Sequence, residues 1–241
     1  MLLAIDTATR TASIALYTEE GIQAEASWRS RENHTVELMA QIVRMLELAR
    51  VTKDDLRAIG VALGPGSFTG LRVGMSVAKG LAFGCKSPLV GIPTLDSIAL
   101  AHSYQSLPIW AVIAAGRGRY SLARYTARRG CIRRWGDYAL VNASGLVDLV
   151  QQENGADERK RPPRVFFSGE IDPPLAQLLA DRLGERAVIA LPAMNMRRAG
   201  FLAELAWQRW QRGEVDDTSS LSPMYMPHES VDGTASITPK Y

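Results

Sequence analysis

Gly64-Pro65-Gly66-Ser67-Phe68-Thr69-Gly70-Leu71-Arg72-Val73-Gly74 stands between a short apolar run, Ala58 to Leu63, and the segment Leu71 to Phe83. The run has the length and composition of a strand, and the segment after it reads as a helix. Strand, glycine-rich turn and helix together aim backbone N–H groups at one point, because a helix start leaves its first donors unpaired. Ser67 and Thr69 can each cap that start. A phosphate-binding Walker loop would require Gly-Lys-Ser/Thr, and the first lysine after the turn is Lys79, so that loop is excluded. Two readings of the glycines stay open: a tight turn, and an anion site that uses Gly64 and Gly66.

The helix behind the turn is apolar over a wide arc. At 100° per residue, its glycine, alanine and aliphatic positions cover roughly 220°, whereas covering one sheet needs only about 100°. Gly70, Gly74, Ala78 and Ala82 lie four apart and form a ridge of small residues that lets another backbone approach. An interior helical glycine costs roughly 0.5–1 kcal/mol against alanine, so packing has to offset it. A second helix is expected from about Asn33–Thr35, which supply N-caps, to about Arg50. Its apolar positions, Val36 to Ala49, spread over roughly 180°. Either both helices are buried within their own domain, or they carry a partner surface. In the second case Met39, Val43, Leu46, Val73, Gly74, Val77, Ala78 and Leu81 are the candidate interface residues.

The rest of the chain falls into a repeated order. Leu2 to Asp6, Ser13 to Tyr17 and Gln23 to Trp28 read as three strands, followed by the helix to Arg50. Ala58 to Leu63 and Leu89 to Ile92 are the fourth and fifth strands. Thr94 to Ser103 is a third helix with Thr94 as its cap. Ile109 to Ala115, Tyr120 to Thr126 and Ile132 to Leu140 repeat the three strands. A helix from Ser144 to about Glu153, a polar loop to Pro163, and the strand Val165 to Ser168 come next. They are followed by the helix Pro174 to Leu183, the strand Ala187 to Leu191 and the helix Arg197 to Arg212. The expected fold is α/β: two βββαβαβα halves with mixed five-stranded sheets, residues 1–103 and 104–215. Residues 216–241, rich in Ser, Pro, Asp and Thr, are expected to form a partly disordered surface tail.

Composition narrows the function classes. A chain of 241 residues, 46% hydrophobic, is ample for buried cores. Its apolar runs are too short for a membrane span, and Leu2 to Ile5 passes straight into Asp6 with no basic region ahead, which reads as a strand and not a leader. Cys85 and Cys131 form no framework, which suits a reducing cytoplasm. His34, His102 and His228 are too scattered for a metal motif. Asp6, with Thr7 beside it, is the carboxylate best placed for a nucleotide in the first half, and it can equally cap its own turn. Net charge is only +3, yet Arg117 to Arg134 contains seven arginines and no acid, interleaved with Tyr120 and Tyr125. Such a run can track a phosphate backbone. Arginines on the solvent side of a hairpin are the plainer reading.

The duplicated order resembles the actin/hexokinase/Hsp70 superfamily, whose halves are ribonuclease-H-like. Leu3-Ala4-Ile5-Asp6-Thr7-Ala8-Thr9, Asn33-His34-Thr35, the Gly64–Gly74 stretch and Gly91-Ile92-Pro93-Thr94-Leu95-Asp96 carry a closer resemblance. They resemble the bacterial TsaB (YeaZ) family of tRNA threonylcarbamoyladenosine biosynthesis proteins. The resemblance covers most of residues 1–100. In the second half it extends to layout and to Pro223-Met224-Tyr225, which is similar to the family's Pro-x-Tyr. One departure is Ile113-Ala114-Ala115-Gly116-Arg117, where the family usually carries Asp-Ala-Arg, so a role tied to that aspartate does not transfer.

What the resemblance implies is a non-catalytic subunit for modification of adenosine 37 of tRNA. It would bind and activate a TsaD-like transferase together with a TsaE-like ATPase, and form a homodimer when alone. Contact with tRNA is then expected only through the complex, with no membrane involved and a cytoplasmic location. TsaD holds a metal through His-x-x-x-His after its fifth strand, and the matching places here are Thr94 and Ile98, which cannot coordinate one. No catalytic residue, metal or resident cofactor is expected. ATP or ADP would be held weakly at Asp6, Thr7, Gly64 and Gly66, or at a shared interface. The alternative is a free-standing ATP-dependent enzyme of the actin-like fold, or a peptidase; Ser67 has no histidine near it in sequence.

Overall fold

The computed structural model describes residues 1–30, 34–152, 163–226 and 235–237. The cap expected at Asn33, the helix end at Glu153 with the loop to Pro162, and most of the tail beyond His228 lie outside the described residues. The elements are β1 (Leu2–Asp6), β2 (Thr11–Thr18), β3 (Gly21–Arg29), α1 (His34–Ala49), β4 (Ala58–Gly64), α2 (Phe68–Cys85), β5 (Leu89–Pro93) and α3 (Thr94–Leu100). They continue with β6 (Ile109–Gly116), β7 (Arg119–Arg128), β8 (Cys131–Asn142), α4 (Ala143–Gln152), β9 (Val165–Gly169), α5 (Pro173–Leu183), β10 (Ala187–Ile189), α6 (Ala199–Gln211) and β11 (Ala235–Ile237).

Two sheets repeat one topology. The first has the order β3-β2-β1-β4-β5. Read from β8, the second runs β8-β7-β6-β9-β10, with β11 added outside β8 as a sixth strand. In each sheet the first three strands are antiparallel and the last two join in parallel. The expectation of two five-stranded sheets therefore holds, and a short piece of the tail extends the second. Strands β1 and β4 are buried along their whole length, as the unbroken apolar runs Leu2–Ile5 and Ala58–Leu63 require of central strands covered on both faces.

The chain divides into two compact units, Met1–Ser97 with Arg197–Tyr225, and Ile98–Met196 with β11. This division differs from the sequence order, which placed the helix after Arg197 in the second half. In the first unit, α1 and α2 cover one face of the sheet. Leu38, Ile42 and Met45 meet Met75, Ala78 and Ala82 over Leu3, Ile5, Ile14, Leu16, Ile59 and Val61. Helix α6 covers the opposite face, with Ala199, Leu202, Ala203 and Ala206 on Leu2, Ala4, Ala15, Ala58 and Val90. Small residues let it lie close: a Cβ at Gly60 would stand 2.9 Å from Cβ of Ala206.

Strands β2 and β3 satisfy the start of α6. The Ala199 N–H donates to Ser13 Oγ at 2.5 Å and the Gly200 N–H to the Glu25 carboxylate at 2.7 Å. A carboxylate there also suits the positive end of the helix. Tyr17 donates its hydroxyl to Glu204 further along, and burial holds that phenol up to about 12. After α6 the chain crosses back as a strap. Asp216 accepts from the Gly91 N–H at 2.7 Å and faces Arg209, and the Met224 N–H donates to Leu63 O at 2.7 Å.

In the second unit, α4 and α5 pack Leu146, Val147, Val150, Leu175 and Leu179 on Trp110, Val112, Tyr120, Leu122 and Phe167. Asp172 caps α5 through the Leu175 N–H at 2.9 Å, ahead of two prolines whose fixed φ suits a first helical turn. The same carboxylate accepts from the Tyr120 hydroxyl at 3.0 Å.

Candidate functional site

The turn after β1 and the turn after β4 lie against each other. The glycines of the second turn are there because side chains would collide with the first. A Cβ at Gly66 would stand 2.2 Å from Ala8 O, at Gly70 2.2 Å from Thr7 O, and at Gly74 2.2 Å from Thr7 Oγ1. Thr7 donates its hydroxyl to Gly70 O at 2.7 Å. Gly64 has φ +113°, and a side chain there would strike Met224 O of the strap. The loop's donors are turned to this packing. The Ser67 N–H donates to Ala8 O at 2.5 Å, the Gly70 N–H to Ser67 Oγ at 3.3 Å, and the Leu71 N–H to Ser67 O at 2.9 Å.

Asp6 sits beneath this junction, almost wholly buried. Its Oδ1 accepts from the Ala8 N–H at 2.9 Å, and its Oδ2 lies 3.5 Å from Nε of Arg197, itself buried at the entry to α6. Arg197 also donates to Thr11 O at 2.6 Å. The four residues expected to hold a nucleotide, Asp6, Thr7, Gly64 and Gly66, thus converge on one junction. There each is engaged by its own chain: Asp6 by a guanidinium and an amide, Thr7 by a carbonyl, and the glycines by close backbone. A carboxylate so paired serves to lock two turns and a helix together. At the start of α2, the Arg72 guanidinium stacks 3.7 Å from the Phe68 ring centroid and donates to the Tyr225 hydroxyl at 3.1 Å. The Pro223-Met224-Tyr225 motif is therefore the end of the strap, seated on the glycine loop.

The candidate partner residues divide. Met39 (40% exposed) and Val43 (48%) face outward on α1, as does Val36 (76%). Leu46, Val73, Val77 and Leu81 are half-buried at the helix edges. Gly74 and Ala78 are buried and belong to no outer surface. The ridge of small residues seats α2 on Thr7 and the sheet, because the alternative backbone it was read to admit is that of its own β1 turn. A different stripe was not read from the sequence: Val73, Val77, Gly80 and Gly84, at spacings of four, three and four. Cβ atoms added at Gly80 or Gly84 meet nothing within 4 Å, so no packing in the chain offsets these two interior glycines. Opposite effects follow. Gly66→Ala is expected to lower stability by about 1–3 kcal/mol through overpacking, and Gly80→Ala to raise it by about 0.5–1 kcal/mol. Urea unfolding of the two variants checks both signs.

One buried polar cluster in the second unit was not legible in the sequence. Asn195 Oδ1 accepts from the Gly169 N–H at 3.0 Å and its Nδ2 donates to Ala190 O at 3.3 Å, which fixes the amide's orientation. Ser168 must then donate its hydroxyl to Asn195 Oδ1 at 3.0 Å, and His102 Nε2, 2.6 Å from Ser168 Oγ, must be the donor to that oxygen. A histidine donating to the serine cannot take its proton, so the pair is not arranged as base and nucleophile. Burial pushes the His102 imidazole below its usual 6.5. The unfolded chain therefore binds the proton first, and His102's contribution to stability is complete above about 6.5 and declines as pH falls through the folded value. His102→Gln is expected to flatten the loss of stability between pH 7 and lower pH, measured by urea midpoints against the unmodified protein.

Thr94 and Ile98 are both buried in α3. Neither a hydroxyl nor an alkyl group supplies a ligand nitrogen, and no group of three or more His, Cys, Asp or Glu positioned to hold a metal occurs among the described residues. No described helix is long and apolar enough to cross a membrane.

Residues 21–230 match the family model of TsaD, the tRNA N6-adenosine threonylcarbamoyltransferase. The chain is 29% identical to the tRNA threonylcarbamoyladenosine biosynthesis protein TsaB of Bacillus subtilis over 93% of both chains. It superposes on YeaZ from Pseudomonas aeruginosa with a TM-score of 0.71 and 25% identity, covering 93% of this chain and 98% of that one. Component A of the (R)-2-hydroxyglutaryl-CoA dehydratase of Acidaminococcus fermentans, at 12% identity and a TM-score of 0.50 over 86% of this chain and 98% of that one, shares the fold alone. The duplicated mixed sheets are an actin-like fold.

Proposed function

The chain belongs to the TsaD family, and on that premise we propose that it is the TsaB-type subunit of tRNA threonylcarbamoyladenosine biosynthesis: a non-catalytic protein that binds and activates a TsaD-like transferase. The observation that carries this reading is the face of α1 and α2. Exposed Val36, Met39 and Val43 adjoin half-buried Leu46, Val73, Val77 and Leu81, beside two open glycines. Clustered apolar side chains on a sheet-covering helix pair mark an interaction surface, and exposed glycines admit a close backbone. Activation requires that this contact be tighter in the partner's active arrangement than in its inactive one.

The glycine loop serves this face indirectly. It seats α2 on the β1 turn, and any nucleotide is held weakly or at an interface shared with the transferase or a TsaE-like ATPase. Without its partner the chain covers the same face with a second copy, burying on the order of 1,200–2,000 Å² in total. The test is mixing with a purified bacterial TsaD-like transferase followed by light scattering. A dimer of this chain that converts to a heteromeric complex supports the reading. A monomer at high concentration that leaves the transferase unbound overturns it.

A further inference from the structure

The arginine-rich run is built into one ribbon. Seven of the chain's 28 Lys and Arg lie between Arg117 and Arg134, and over the rest of the sequence the 25 acids outnumber the basic residues. The positive excess of the whole protein is thus concentrated in the β7–β8 hairpin, which holds six of the seven, and in the turn before it, which holds Arg117; like charges repel there. Register orders them. Arg124, Thr126 and Arg128 alternate onto one face of β7, and their cross-strand partners on β8 are Trp135, Arg133 and Cys131. From the tip inward this face presents Arg128, then Arg133, then Arg124, each on the strand opposite the last and two residues further along, a diagonal of about 7–8 Å. That step is of the order of the separation between successive phosphates on one strand.

Two rings flank the charges. Trp135 is 60% exposed, with the Arg124 guanidinium 5.5 Å over its centroid. Tyr104 is 88% exposed and reaches the hairpin tip, where a Cβ at Gly130 would stand 2.9 Å from its hydroxyl. Arg129 takes φ +50° in the tip itself and is exposed there. A merely solvated hairpin gains nothing from exposing two large rings among arginines. Flat rings that stack on unpaired bases, with guanidinium groups between them for phosphates, are the combination that single-stranded regions of RNA require.

We propose that the outer half of the β7–β8 hairpin, with Tyr104 beside it, is a direct RNA-binding surface of this chain, gripping tRNA by backbone phosphates and by bases outside the helical stems. The choice of tRNA over other RNA rests on the proposed place in tRNA modification. The tRNA would then be held by this subunit as well as by the transferase, and not through the complex alone.

The test is fluorescence anisotropy of a labelled tRNA transcript with the full chain across a salt series, alongside vesicles containing phosphatidylserine. Arg128→Glu/Arg129→Glu/Arg133→Glu is expected to weaken tRNA binding about 100-fold near 0.15 M salt and to make the log–log salt slope shallower by about 2–3. Trp135→Ala/Tyr104→Ala is expected to weaken it roughly tenfold or more with the slope kept. Circular dichroism and binding to the transferase are followed on the same variants. Affinity and slope unchanged in the charge-reversed protein would overturn the proposal. So would vesicles binding as tightly as tRNA with no effect of the aromatic substitutions. If either happened with transferase binding intact, the RNA surface would fall and the assembly role would stand.

Discussion

Arg197→Met is expected to cost the first unit about 3–5 kcal/mol, because it leaves the Asp6 carboxylate buried without its partner. Asp6 and Arg197 are almost completely shielded, so salt does little to relieve the loss. For a protein of this size each kcal/mol corresponds to roughly 2–4 °C, so thermal unfolding should begin about 6–20 °C earlier. The substitution also frees Thr11 O and loosens the entry of α6, whose first N–H groups depend on Ser13 and Glu25. The double variant Asp6→Asn/Arg197→Met should be less destabilised than Arg197→Met alone, since removing the charge removes the larger part of the penalty. Equal losses in both, by differential scanning calorimetry, would mean that the ion pair is not what joins the β1 turn to α6.

Val43→Asp/Val77→Asp should leave the chain folded and abolish its associations. Val43 is exposed, so its change costs the isolated chain about 0.5 kcal/mol, and Val77 is half-buried against the core, so its change costs about 1–2 kcal/mol, which the fold can bear. In a complex, even one carboxylate buried unpaired would cost about 3–5 kcal/mol, a loss of about two to four orders of magnitude in affinity. Gly80→Ala/Gly84→Ala sharpens this expectation. Each alanine favours the helix, so the variant should be more stable than the unmodified chain while binding its partner more weakly, because methyl groups hold the partner's backbone away. Stability gained together with binding kept would show that the open glycines have no role at an interface.

Much of the fold was legible because hydrophobic period and length are local properties. Leu2–Ile5 and Ala58–Leu63 read as strands from their unbroken apolar character, and both prove to be buried throughout. The repeat of three strands, a helix and further strands was visible in the order of the elements. The location of α6 was not, because its alanine-lined stripe fits either sheet and its anchors, Ser13, Glu25 and Asp6, lie far back in the chain. The small-residue ridge of α2 was recognised from its spacing, but spacing does not say which backbone approaches. Thr7 occupies that ridge, and the stripe left open passes through Gly80 and Gly84. Asp6, Thr7, Gly64 and Gly66 were named together as possible nucleotide contacts, but that they meet at one junction follows from the parallel pairing of β1 with β4, which the order of elements does not state. The guanidinium facing Asp6 and the hydrogen bonds joining His102, Ser168 and Asn195 depend on tertiary contacts that no local pattern carries.

The most direct measurement is a reconstitution with tRNA, threonylcarbamoyl-adenylate, a bacterial TsaD-like transferase and its TsaE-like ATPase, with and without this chain. The expected result is repeated turnover only when the chain is present, no modification by the chain alone, and loss of turnover with Val43→Asp/Val77→Asp. Full multi-turnover modification in its absence, or transfer to tRNA by the chain on its own, would contradict a non-catalytic activating role.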